Sequence, residues 1–335
     1  MKKKLSILLL ASLIIISLVG CTSNPPEKQT KEEANVVAKV TALKGPTGMG
    51  MVKMIGDEND KKEKDYEFSI ANSVDEITPK LVNKELDIAA IPANLSSVLY
   101  NNSNGEIETL AINTLGVLYI IENGNSIKSV DDLKGKTIYS SGKGSTPEYV
   151  LNYILKENGI DPTEDVNIEY KSEHTECLAA LLNDKEGIAL LPQPFVTTAL
   201  TKSDNLRVAL DLTKEWDTLN KDKNSESALV TGVVVARKEF IDKYPEKVKS
   251  FLEEYKKSVD FTNNNIEEAS KLIEENEIVP AQIAKQAIPK CNITFIEGNT
   301  MKDKLSGYLQ VLYDANPKSI GGKMPGEDFY YTQEN

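Results

Sequence analysis

Short apolar runs alternate with stretches of helical periodicity along most of this chain, and that alternation restricts the fold more than any other feature. Tyr66–Ala71, Asp87–Ile91, Lys136–Tyr139, Val166–Lys171 and Gly187–Leu191 read as strands. Each is followed by apolar residues at helical spacing, as in Val150-Leu-Asn-Tyr-Ile-Leu-Lys156. The pattern is one of strands alternating with helices. It predicts mostly parallel sheets with helices on both faces, hence the α/β class. Two longer runs break the rhythm. Leu110–Ile121 carries Gly116 near its middle and Ala228–Arg237 carries Gly232. Each reads as one strand crossing between two lobes. Residues 36–115 and 232–335 then form lobe 1, and residues 116–231 form lobe 2. After Arg237 the chain reads as helical to its end.

Two glycine-rich turns lead from strand to helix: Lys44-Gly-Pro-Thr-Gly-Met-Gly-Met51 and Ser140-Ser-Gly-Lys-Gly-Ser-Thr-Pro-Glu-Tyr149. In the second, Ser145 or Thr146 can cap the helix, and Pro147 suits its first turn. Gly142 and Gly144 let the backbone turn tightly and let a ligand approach. The free N–H groups of such a helix start attract an anion or a strong acceptor. An ordinary capped helix explains the same residues. Ser73 with Glu76 reads as a capping box.

The N-terminus is a leader. Met1-Lys-Lys-Lys4 precedes an apolar run from Leu5 to Val19, and Leu18-Val-Gly-Cys21 closes it. A basic start, a short apolar core and small residues at the break describe a secretory signal peptide over residues 1–20. Residues 21–35 are polar, with Pro25-Pro26, and read as a disordered tether. Lys and Arg number 39 against 51 Asp and Glu, a net charge of −12, which repels nucleic acid and anionic lipid. With one histidine and no C-x-x-C, no metal site is signalled, and no cofactor.

Three segments then resemble a known family. Ser129-Val-Asp-Asp-Leu-Lys-Gly-Lys-Thr-Ile138 is similar to a signature of the type-2 periplasmic substrate-binding proteins of ABC transporters. Gly187-Ile-Ala-Leu-Leu-Pro-Gln-Pro-Phe195 and Phe240–Leu252 resemble the nitrate, taurine, aliphatic-sulfonate and thiamine-precursor branch. Cys21 resembles the lipidated cysteine of bacterial lipoproteins. The resemblance implies a two-lobed fold with two hinge strands, which closes on a small molecule and delivers it to an ABC permease and ATPase. It implies a monomer anchored to the membrane through lipid on Cys21, facing away from the cytoplasm. The family's ligand contacts fall on Thr47, Gly48 and Met49, on Ala93 and Asn94, on Gly144, Ser145 and Thr146, and on Gln193, its Glu/Gln position. His174, in a loop opening toward the same cleft, joins them. Gln193 is neutral where a carboxylate would favour a cation, so the ligand is expected to be neutral or anionic, and with no arginine among these positions an anion would rest on backbone N–H groups.

Other readings stay open. The same fold serves as a surface adhesin or sensor. A pyrimidine-synthase enzyme shares the topology, but it carries a cysteine-rich motif that this chain lacks. Met49, Met51 and Met54 line a pocket or pack in a core, and Trp216 borders the cleft or plugs a surface. Cys177 and Cys291 are expected as free thiols, because a bridge between lobes would restrain closure.

Overall fold

The computed structural model describes residues 36–221 and 227–332. The leader, Cys21 and the tether lie outside the described residues. The chain begins with β1 (Ala38–Leu43), α1 (Pro46–Met49), α2 (Val52–Asp60), β2 (Tyr66–Ala71), α3 (Val74–Val82), β3 (Ile88–Pro92) and α4 (Ala93–Asn102). It continues through β4 (Ile107–Leu115), β5 (Leu118–Asn123), β6 (Thr137–Ser140), α5 (Thr146–Glu157), β7 (Asn167–Tyr170) and α6 (His174–Asn183). Next come β8 (Ile188–Pro192), α7 (Phe195–Lys202), β9 (Leu206–Asp211), α8 (Leu212–Asn220) and β10 (Val230–Arg237). The last part holds α9 (Lys238–Lys243), α10 (Pro245–Asn264), α11 (Ile266–Glu275), α12 (Ala281–Ala287), β11 (Ile293–Ile296) and α13 (Gly298–Ala315).

The strands form two sheets, ordered β11-β4-β10-β3-β1-β2 and β7-β6-β8-β5-β9. β1 pairs parallel with β2 and β3, and β6 pairs parallel with β7 and β8. The other pairings are antiparallel. The sheets are therefore mixed, whereas strand-helix alternation predicts mostly parallel ones. The reason is connectivity. Every antiparallel pairing involves β4, β5 or β10, the strands through which the chain passes from one sheet to the other and back, and not the units in which a helix carries the chain to a parallel neighbour.

Leu110–Ile121 is not one strand. It breaks at Gly116-Val117 into β4 of the first sheet and β5 of the second. A Cβ on Gly116 would lie 2.0 Å from Thr213 Oγ1 of α8, so only glycine fits at the passage. β10 returns the chain to the first sheet, between β4 and β3. There a Cβ on Gly232 would lie 2.5 Å from Asn113 Oδ1 and 2.6 Å from Thr47 Cγ2.

Three apolar clusters bury the helices against the sheets. One spans both sheets, joining Ile91 and Ile112 to Ile120, Ile138 and Leu190 through Met301, Leu305 and Leu309 of α13. Trp216 is wholly buried in it, its ring 4.8 Å from Tyr153 and 5.5 Å from Tyr308, so it is core. The second cluster holds α2 and α10 against the first sheet and takes in Met49, Met51 and Met54. The third packs α6 and α7 on the second sheet.

Several local expectations differ. The chain after Arg237 is not all helix, since β11 pairs with β4 at the sheet edge. Ser73 and Ser145 occupy N-cap positions, but neither hydroxyl caps its helix. Ser145 instead donates to the Gly142 carbonyl at 2.7 Å, which the left-handed Gly142 and Gly144 bring beneath it. Glu76 accepts from the Asn72 N–H, one residue before the expected partner.

Candidate ligand-binding site

In open α/β sheets, ligands bind beyond the carboxyl ends of the parallel strands. Here the turns after β1, β3, β6, β7 and β8 lie at such ends, and they hold the residues that the sequence singles out.

Two of these turns touch across the sheets. Thr146, the first residue of α5, donates to Asn94 Oδ1 of α4 at 3.0 Å. Tyr308 of α13 donates to Thr146 Oγ1 at 3.3 Å, and Asn94 Nδ2 donates to the Ser319 carbonyl at 3.1 Å. All four residues are buried. A wholly enclosed hydrogen-bond chain thus runs from α13 through α5 to α4.

The remaining candidates divide. Thr47 is buried, donates to the Leu43 carbonyl at 2.6 Å and turns its methyl toward Gly232. Gly48 sits where a Cβ would meet that same carbonyl at 3.1 Å. Met49 packs into the core of the first sheet, its sulfur 4.0 Å from Cys291 Sγ. Ala93 is fully buried at the start of α4. Gln193 is buried, and its Oε1 accepts from the Thr197 N–H and hydroxyl at 3.2 and 2.8 Å. Gly144 is exposed, and its N–H is held by the Glu148 carboxylate. The chain's own carboxylate thus occupies the amide expected to meet an anion.

His174 opens α6. Its Nδ1 lies 2.6 Å from Ser141 Oγ, and its ring sits 5.0 Å from that of Phe195. Burial lowers its pKa from 6.5 to about 4, so the ring is neutral at physiological pH. Burial pushes the Cys177 thiol up to about 11 and raises that of Cys291 further. Both cysteines are free.

Both arginines are committed at the opposite strand ends. Arg207 pairs with buried Glu122 at 2.5 Å, and Arg237 pairs with Asp87 at 2.6 Å. β5 runs antiparallel to β8, pairing Glu122 with Ile188 and Leu118 with Pro192, which puts the Arg207 pair far from Gln193. In the same way β10 pairs Ala236 with Ile88, which puts Arg237 away from Asn94. No guanidinium reaches the site.

Ser141 and Tyr308 escaped the sequence reading. Ser141 stands in the glycine-rich turn beside residues that were singled out. Tyr308 reads from sequence only as part of an apolar helix face, and nothing in its spacing signals that its hydroxyl meets Thr146.

The sequence model of the phosphonate periplasmic substrate-binding proteins of ABC transporters matches residues 54–287, more than half of the chain. The chain belongs to that family. It is a solute-binding protein of an ABC importer, and this membership implies a small-molecule ligand with permease and ATPase partners. The structure is similar to that of an ABC transporter protein from Parabacteroides distasonis, with TM-score 0.74 and 24% identity over 89% of this chain and 99% of that one. It is also similar to the periplasmic aliphatic sulphonate binding protein SsuA of Escherichia coli, with TM-score 0.69 and 16% identity over 88% and 92%. A ligand-binding component of an ABC-type import system from Staphylococcus aureus gives TM-score 0.66 and 17% identity over 88% and 96%. These likenesses bear on the fold. No curated protein sequence matches the chain. Among the described residues no helix is long and apolar enough to cross a membrane, and no cluster of side chains could hold a metal ion.

Proposed function

We propose that the protein is a lipid-anchored receptor on the outer face of the cytoplasmic membrane, binding a small neutral or anionic organic solute between two lobes that close on it. Lobe 1 comprises residues 36–115 and 232–335, lobe 2 comprises residues 116–231, and lipid on Cys21 ties the monomer to the membrane. The observation that carries this reading is the contact between Thr146 and Asn94, which joins strand-end turns of the two sheets. The solute is placed beside the strand-end turns that carry Thr47, Gly48, Asn94, Ser145, Thr146, His174 and Gln193, with the Thr146–Asn94 bond buried beneath and not itself a ligand contact.

With both arginines engaged elsewhere, an anionic group would rest on helix N-termini and hydroxyls. The family's phosphonates and the neighbour's aliphatic sulphonates are the first compounds to test. Native mass spectrometry would reveal carried-over ligand, and calorimetry would rank methylphosphonate, ethanesulfonate, taurine, nitrate and thiamine precursors. Failure of all of these, with no carried-over mass, would reject the reading in favour of a surface adhesin or sensor. For the anchor, Cys21→Ser should yield an unlipidated protein found in the medium or as a larger precursor.

A further inference from the structure

The passage from β4 to β5 is held on both sides of one residue. Before it, the chain is tied to the first sheet. The Leu115 N–H donates to the Asn292 carbonyl at 3.1 Å, and the Thr231 hydroxyl of β10 donates to the Leu115 carbonyl at 2.5 Å. The Asn292 side chain reaches one residue further, its Nδ2 donating to the Gly116 carbonyl. Asn292 makes both contacts from a left-handed backbone, with φ of 43°, a region that asparagine enters more readily than most side chains. It is exposed, but buried Cys291 and Ile293 flank it, and Ile293 pairs with Thr114 of β4. After the passage, the chain is tied to the second sheet. The Gln193 N–H, just past β8, donates to the Val117 carbonyl at 3.0 Å, and Leu118 pairs with Pro192.

The Gly116 carbonyl therefore moves with the first sheet and the Val117 carbonyl with the second. The peptide unit joining Gly116 to Val117 is planar, so the soft torsions left between those carbonyls are φ and ψ of Val117. Glycine at 116 answers a different need, since a Cβ there would run into Thr213 Oγ1. We propose that Val117 is the pivot on which the two lobes turn at this passage, and that Asn292 is the positioning residue that confines the turning to it by holding the Gly116 carbonyl. The proposal rests on the reading above that the lobes close on a solute. It also joins the pivot to the site, because Gln193 belongs to one of the strand-end turns and its N–H fixes the second side of the pivot. The Tyr119 hydroxyl of β5 reaches back across the pivot to the Lys290 carbonyl at 3.4 Å, and this long bond is the contact that yields as the sheets turn.

Asn72 and Ser172 are exposed and directly follow β2 and β7, the edge strands furthest from β4 and β5 in their sheets. Spin labels on Asn72→Cys and Ser172→Cys therefore report the separation of the lobes by double electron–electron resonance, while Cys177 and Cys291 are buried and stay unlabelled. Asn292→Gly keeps access to the left-handed backbone, and with it the carbonyl that Leu115 needs, but releases Gly116. The torsions of Gly116 then join those of Val117, and the distance distribution of the ligand-free protein should widen. Val117→Gly relaxes the pivot itself and should widen it too. Thr231→Val is the control. It removes a bond of similar worth from Leu115 but leaves Gly116 held, so it should lower the urea midpoint and leave the width unchanged.

A width unchanged by Val117→Gly overturns the pivot. A width unchanged by Asn292→Gly, or an equal widening by Thr231→Val, overturns the confinement by Asn292. Should Val117→Gly fail to fold, Val117→Ala, which also loses the β-branch, is read in its place. Closure on a solute is judged apart from this, on the wild type with methylphosphonate or ethanesulfonate added. A probe that binds by calorimetry and leaves the wild-type distance unmoved counts against a closing receptor, while the ligand-free widths of the variants still decide where the chain turns.

Discussion

Thr146→Val tests the buried chain between the sheets with almost no change of shape. Valine replaces the hydroxyl with a methyl, and two partners lose their bonds together. Tyr308 OH no longer has the acceptor at 3.3 Å, and Asn94 Oδ1 no longer has the donor at 3.0 Å. Both residues are buried, Tyr308 completely, so water cannot replace the lost partner without displacing core. A buried polar group left unsatisfied costs about 1–3 kcal/mol. Two of them, with partial relaxation, predict a loss of about 2–4 kcal/mol. Tyr308→Phe offers the contrast. It removes the donor itself, leaves Thr146 bonded to Asn94 and creates no orphan, so it should cost about 1 kcal/mol. Adding Tyr308→Phe to Thr146→Val removes one of the orphans, so the double variant should lose less than the two single losses together. Urea unfolding of the four proteins, followed by circular dichroism, gives these values from midpoints at constant slope. If Thr146→Val is no more costly than Tyr308→Phe, or if the two losses simply add, the hydroxyls are not a closed chain and the argument fails.

At the passage between the sheets, Gly116→Ala puts a methyl 2.0 Å from Thr213 Oγ1 and should destabilise by about 1–3 kcal/mol. Thr213→Gly should recover part of that loss, and a neutral Gly116→Ala would show that the passage has room. His174 links stability to pH. Its folded pKa, about 4, lies below its ordinary 6.5, so its contribution is complete above pH 6.5 and is lost as pH falls toward 4. Between pH 7.5 and 5 the wild type should lose about 2 kcal/mol more than His174→Phe in urea midpoints, and equal losses would contradict the neutral buried ring. Native protein should react negligibly with Ellman's reagent, because both described cysteines are buried and protonated, and denaturation without reductant should release both thiols. A reading of none from Cys177 and Cys291 would mean that they pair.

Much of the fold was legible in the residues. Continuous apolar runs such as Ile88–Pro92 and Ile188–Pro192 became central strands, because a strand buried on both faces must be apolar throughout. Gly116 marked the passage between the sheets, but Gly232 sits inside β10 of the first sheet, paired with Pro92 and Thr114, so the run Ala228–Arg237 does not itself cross at its glycine. The turns at residues 44–51 and 140–149 were found because glycine and proline punctuate a chain locally. Local pattern says nothing of direction or of partners distant in the chain. Whether β5 and β10 run parallel or antiparallel depended on which sheet they entered. β11 is too short and too weakly patterned to stand out, and it exists because β4 offers it an edge. The capping serines were chosen correctly by position but neither hydroxyl caps its helix, and that of Ser145 bonds the Gly142 carbonyl, the acceptor the tertiary turn brings beneath it. The site shows the same division. The turns proposed for it and the lack of arginine among them could be read from the sequence. The bond from Thr146 to Asn94, 52 positions apart, the placing of Tyr308 above it, and the pairing of Ser141 with His174 could not. Those contacts arise only where two sheets, each folded by its own periodicity, bring their strand ends together.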